Sequence, residues 1–257
     1  MPIKKGTKKQ KQNRRNRTHG GAPELIHGPD TKELLLRIAG MNWHGELDVS
    51  NLNITSFPEN PVKRIGMVQA IRSDRDLPNI LPNTIHSLWL EGYNGKTPNL
   101  PPQLQQLWYF KCRATVMPNL PEGLTSLDCS ETQITELPKL PDGLNSLHVT
   151  KCKNLKALPE KLPLALTELF CSDSGLEKLP ETLPPKLAKF FIDNTKIRLI
   201  PIMPESLGFF YGDGAPLILE RGYKEPLSKY KARWAKWWSR KMNNNVPVPN
   251  FKALPFV

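Results

Sequence analysis
The sequence predicts an α/β-type solenoid: an arc of short parallel strands, an extended, polyproline-like return side and a helical cap at each end. Three observations lead there. An apolar anchor recurs about every twenty residues, the signature of a stacked repeat. Each anchor starts a short alternation, as in Leu127-Asp128-Cys129 and Leu147-His148-Val149, which puts apolar side chains on one face of a brief strand. Leu-Pro pairs follow, and 26 prolines in 257 residues exceed the ordinary usage of about 5%, so proline carries structure here.

The repeat is plainest where PEGLTSLDCSETQITELPKL is followed by PDGLNSLHVTKCKNLKALPEKL. With the leucine of SLDCS as reference, the anchors are Leu47, Ile65, Leu88, Leu107, Leu127, Leu147, Leu169, Phe190 and Phe210, spaced 18 to 23 residues apart. Residues 61–98, the second and third units, are the most degraded. Within a unit a further apolar residue (Ile134, Leu155, Leu176, Ile197) points back inside. The proline after it lacks an N–H and holds its predecessor extended, which forbids a regular helix on the return side. One unit cannot bury its own apolar face. Stacked units can, with their strands side by side in a parallel sheet.

A stack needs its ends covered. Residues 30–40, DTKELLLRIAG, predict a short helix with Asp30 as N-cap, Glu33 three residues later and Gly40 as its stop. Leu34, Leu35 and Ile38 give it an apolar side, with Trp43 nearby. Residues 226–242 predict a second helix, with Leu227, Tyr230, Trp234, Trp237 and Trp238 on one arc and Lys229, Arg233, Lys236 and Arg240 on the other. It reads as a cap, or as a basic surface helix for acidic lipid or nucleic acid. The expected plan is a basic tail disordered on its own (residues 1–28), an N-terminal cap (29–45), eight or nine repeats (46–217) and a C-terminal cap helix with its tail (218–257).

The formal charge of +12 sits at the two ends. Lys4, Lys5, Lys8, Lys9, Lys11, Arg14, Arg15 and Arg17 give residues 1–17 a charge of +8, and residues 221–241 carry +7. The difference between +12 and +15 leaves the body at −3, so the body is not a basic nucleic-acid cradle. No apolar run approaches the roughly 20 residues that span a bilayer, and no signal-peptide core follows the basic start. Cys112, Cys129, Cys152 and Cys171 form no CxxC pair and read as reduced core residues of a reducing compartment.

The unit LPxxLxxLxCSxxxIxxLP resembles the leucine-rich repeats of the short LPxLP type, found in bacterial type III effectors, with related short repeats in large DNA viruses. The resemblance covers about residues 46–217. It implies a repeat arc that binds a protein partner and an intracellular site of action: cytoplasm, nucleus, or a host cell for an effector or viral product. Such repeats usually carry asparagine at the turn after the strand. Here that position holds Leu52, Thr132, Cys152, Ser174 and Thr195, which predicts a less regular stack. Some members also carry a ligase domain with a Cys-x-Asp nucleophile. Cys171-Ser172-Asp173 matches that pattern, but Cys171 occupies an inward strand position and only about 40 residues follow the repeats, so it reads as core.

No HExxH, Walker loop, GxGxxG or GxSxG occurs, and the five histidines are scattered, so neither enzyme, metal nor cofactor is expected. The outward positions are more informative. The column beside the anchors reads Gly66, Trp89, Trp108, Asp128, His148, Phe170, Phe191 and Tyr211. A flanking column reads Val68, Glu91, Phe110, Ser130, Thr150, Ser172, Asp193 and Asp213. Large aromatics in an outward column mark a binding surface, unless they twist inward or the C-terminal segment folds over them. The expected anchors are Trp89, Trp108, Phe110, Phe170, Phe191 and Tyr211, with Asp128, His148, Asp193 and Asp213 as polar selectors. The competing expectation is an accessory protein that holds nucleic acid or an acidic surface through Lys4, Lys5, Lys8, Lys9, Lys11, Arg14, Arg15, Arg17, Arg233, Lys236 and Arg240.

Overall fold
The computed structural model describes residues 27–59, 61, 63–222 and 225–243. The alternating triplets form nine three-residue strands, β1 (Glu46–Asp48), β2 (Met67–Gln69), β3 (Ser87–Trp89), β4 (Gln106–Trp108), β5 (Ser126–Asp128), β6 (Ser146–His148), β7 (Glu168–Phe170), β8 (Lys189–Phe191) and β9 (Phe209–Tyr211). They pair in sequence order in one parallel sheet, with the central residue of each strand opposite that of the next. A helix covers each end: α1 (Thr31–Gly40) before the sheet and α2 (Leu227–Asn243) after it. Between strands the described chain is extended, as the Leu-Pro pairs require.

Two local devices bring each coil back into register. The second proline of a unit offers its carbonyl to the amide three residues on, as in Leu104 N to Pro101 O and Leu124 N to Pro121 O, closing a turn just before the strand. Four residues past the central residue of each strand the backbone is left-handed: Asn51, Arg72, Gly92, Lys111, Glu131, Lys151, Asp173, Asn194 and Gly214 all have φ between 48° and 74°. Only two of the nine are glycine, so seven coils carry a conformation that L side chains disfavour. Glycine, asparagine or aspartate suits five of these positions locally, whereas at Arg72, Lys111, Glu131 and Lys151 the turn is imposed by the stack.

The register at β2 corrects one anchor. Val68, not Ile65, pairs with Leu47 and Leu88. Ile65 belongs three positions earlier, in the buried column of Ile85, Leu104, Leu124 and Leu144. Gly66 therefore leaves the outward column, where Gln69 takes its place, and Val68 is core rather than surface. The slip arose because Ile65 and Val68 are both apolar, both buried and only three residues apart.

The turn column is also better bonded than its residue types suggested. Thr132 and Thr195 donate their hydroxyls to Cys129 O and Ile192 O at 2.7 Å, and the Cys152 and Cys112 thiols reach Cys129 O at 3.1 Å and Leu90 O at 2.9 Å. Tyr93 accepts from Leu77 N and donates to Lys96 O through one hydroxyl, with burial raising its pKa to about 12. These bonds stand in for the asparagine ladder except at Ser174, whose buried hydroxyl has no hydrogen-bond partner among the described residues, and the sheet still runs without a break. The less regular stack does not materialise.

The caps differ from expectation in detail. Thr31, Leu34 and Ile38 are the buried side of α1, one helical stripe, whereas Leu35 lies a quarter-turn off it and Trp43 is 88% exposed. Asp30 makes no side-chain cap; its carboxylate accepts from Asn53 N and so ties the helix to the first coil. In α2 Tyr230, Trp234 and Trp238 are buried, Trp238 Nε1 donates to Ile200 O at 2.9 Å, and the Tyr230 hydroxyl donates to Leu219 O at 2.7 Å. The tryptophan arc therefore faces the stack, as a cap requires.

Candidate interaction surface on the concave face
Each strand buries its central residue and turns both flanking residues to the other face of the sheet. Two outward columns therefore border the buried one within the strands, besides the flanking column two positions further on. The expected column is, with the corrected register, Asp48, Gln69, Trp89, Trp108, Asp128, His148, Phe170, Phe191 and Tyr211. The other, ahead of the anchors, runs Glu46, Met67, Ser87, Gln106, Ser126, Ser146, Glu168, Lys189 and Phe209. Sequence reasoning missed the second, although strand alternation signals it.

Strand pairing brings the aromatics together. Trp89 and Trp108 stack at 5.3 Å between centroids, and Phe110 joins Trp89 at 6.3 Å. His148, Phe170, Phe191 and Tyr211 form a second run at 4.3, 4.7 and 4.9 Å. These spacings match the roughly 4.8 Å between strands, so the sheet sets the stack. The rings are half-buried by one another and none turns into the core; Tyr211, on the last strand, is 50% exposed.

The polar groups divide between engaged and free. Glu168 is held below the usual carboxylate range by its hydrogen bond from Lys189 at 2.7 Å, and Ser146 Oγ lies 3.3 Å from its other oxygen. His148 Nε2 meets Ser146 Oγ at 3.0 Å, and burial lowers the imidazole pKa, so the ring is neutral at pH 7. Lys111 sits over the Phe110 ring and pairs with Glu91 at 3.3 Å. Asp193 accepts from Ser172 Oγ and Asp213 N, and Asp128 accepts from Ser130 N. Among the described residues no ion pair involves Asp128, Asp193 or Asp213.

The remaining candidates lie elsewhere. Lys4, Lys5, Lys8, Lys9, Lys11, Arg14, Arg15 and Arg17 fall outside the described residues, as does the tail after Asn243. Arg233 is engaged with Glu225 at 2.7 Å and with Glu220 O, while Lys236 and Arg240 are exposed on α2. Cys171 is fully buried and burial pushes its thiol far up, which removes it as a nucleophile. Hydrogen bonding from Cys129 and Thr132 holds Cys152 at about 7, yet Cys152 is equally buried. No group of three metal-ligating side chains occurs among the described residues, and no described helix is long and apolar enough to cross a membrane.

A parallel sheet built one strand per coil, with proline-rich extended return legs, defines a leucine-rich repeat solenoid. One solved structure agrees at the level of the fold, and others resemble the chain more distantly. YopM from Yersinia enterocolitica WA-314 is 29% identical over 69% of this chain, with a TM-score of 0.59, and this chain spans 39% of that protein's length. YopM of Yersinia pestis, a leucine-rich effector protein, is 23% identical over 73% of this chain and 69% of its own, with a TM-score of 0.47. The leucine-rich repeat domain of a Shigella effector is 23% identical over 85% and 84%, with a TM-score of 0.46. No family model matches the sequence, and no curated protein does. The fold is thus one that this chain shares with YopM of Yersinia enterocolitica.

Proposed function
We propose that this protein is a non-enzymatic interaction module that binds a partner protein along its concave sheet. The observation that carries the reading is the half-buried aromatic column, Trp89 and Trp108 followed after Asp128 by His148, Phe170, Phe191 and Tyr211. Rings held in register by backbone pairing lose little freedom on binding, and aromatic side chains dominate binding hot spots. Phe110, Asp193 and Asp213 flank them on the same face. Four reduced, buried cysteines fit a reducing compartment, cytoplasm or nucleus, in the cell where the partner resides.

The test is co-purification with full-length protein from nuclease-treated lysate, beside the Trp89→Ala/Trp108→Ala variant. A discrete protein captured by the parent and lost by the variant, with Tm lowered by no more than a few degrees, is the expected result. Capture of nucleic acid instead, abolished when residues 1–17 are removed, would assign binding to the basic ends and leave the concave face without a role.

A further inference from the structure
From β3 to β9 the concave column is a ladder of rings with one interruption. Trp89, Trp108, His148, Phe170, Phe191 and Tyr211 are all cyclic; Asp128 is not. Trp108, Asp128 and His148 pair in register on adjacent strands. Trp108 stacks on Trp89 on one side and His148 leans on Phe170 on the other, while no ring contact joins Trp108 to His148. They stand two strand spacings apart, about 9.6 Å. That distance admits one planar group between two rings at the ladder's own spacing of 4.3 to 5.3 Å. At the floor of the gap is a carboxylate that accepts one backbone N–H and, among the described residues, has no cation paired to it.

We propose that the gap at Asp128 receives the guanidinium of an arginine carried by the partner protein. The inference rests on the concave-face reading and specifies its chemistry. A guanidinium is planar and permanently charged, stacks on aromatic faces and bonds a carboxylate through two N–H groups at once; an ammonium does only part of this. The neighbouring coils show the same combination already closed from within: Lys111 lies 5.1 Å over Phe110 and pairs with Glu91. At Asp128 ring and acid are present and the cation is missing, and Asp193 and Asp213 extend the unpaired negative charge toward the far end. A phosphate-bearing partner meets repulsion along the same path.

The experiment titrates full-length protein with a short peptide alternating arginine and threonine, and with the same peptide carrying citrulline, the neutral isostere. Calorimetry gives affinity and amide shifts give location. The arginine peptide should bind at least about tenfold tighter, with shifts at Trp108, Asp128 and His148, and Asp128→Asn should remove that preference. Asp128→Phe, which puts a ring in the gap, should remove it while keeping Tm at or above the parent. Equal affinity for the two peptides, with shifts still on the concave strands, overturns the arginine slot and leaves the concave-face reading standing. Shifts confined to another surface overturn both. Free arginine binding as tightly as the peptide overturns the protein partner. Binding that appears only when the basic residues from Lys4 to Arg17 are changed to glutamine gives the gap to the chain's own tail.

Discussion

Lys151 Nζ lies 3.1 Å from Glu131 Oε1 in the adjacent coil, and both residues hold φ at 59°. The pair is solvent-exposed and contributes at most about 1 kcal/mol. The left-handed backbone costs about 1 to 2 kcal/mol at each residue. Strain therefore outweighs the ion pair. Lys151→Gly should leave stability in urea unchanged or raise it by up to about 1 kcal/mol, since glycine relieves the strain but frees the unfolded chain. Lys151→Ile should lower it by about 2 kcal/mol, because a β-branched side chain fits this region worst.

His148 makes stability depend on pH. Its pKa is lowered from 6.5, first by burial, so the folded state favours the neutral ring. The sign follows: the contribution is intact above about 6.5 and is lost as pH falls through the folded-state pKa. His148→Gln should flatten that part of the curve. A ring titration by NMR should place the folded pKa below the value in unfolded protein; a higher one would contradict the burial argument.

The Trp234 ring is fully buried between α2 and the last coils, beside Tyr230 and Trp237. Trp234→Ala should cost about 3 to 5 kcal/mol. It should also loosen the cap and bare the apolar end of the stack, so sedimentation should show self-association at temperatures where the parent is monodisperse. Lys236→Gln on the exposed side of the same helix should do neither.

Cys152 tests the turn column. Its thiol donates to Cys129 O and meets the Thr132 hydroxyl at 3.4 Å. Cys152→Ala removes the thiol's bonds but leaves Thr132 donating to Cys129 O, so it should cost about 0.5 to 1.5 kcal/mol. Cys152→Thr restores a donor, as in the coil of Thr132, and should recover most of the loss in thermal unfolding.

The sequence displayed the stack clearly because period, alternation and Leu-Pro all point the same way. Both helices were legible from their apolar stripes, and Trp234 and Trp238 were correctly grouped. The left-handed turns were not, because the residues that occupy them (Arg72, Lys111, Glu131, Lys151) announce nothing of the kind. Their conformation is set by pairing between coils. The β2 register failed for a related reason: Ile65 and Val68 are equivalent by composition, and only the neighbouring strands distinguish them. On the concave face the aromatic column was visible from spacing. That Glu168 and Lys189 close on each other, while Asp128 faces no cation among the described residues, depends on side-chain geometry that no one-dimensional pattern contains.

Each strand pairs only with the strands of the coils before and after it, and the same turn returns in every coil. Duplicating or deleting one whole coil would therefore leave both caps and every remaining register intact. The groove would lengthen or shorten in steps of about 4.8 Å. A change between β5 and β9 would move Tyr211 relative to Asp128 by the same step, without altering the chemistry at either place. The face behaves as a graduated ruler, on which the distance between two recognition points is set by counting coils.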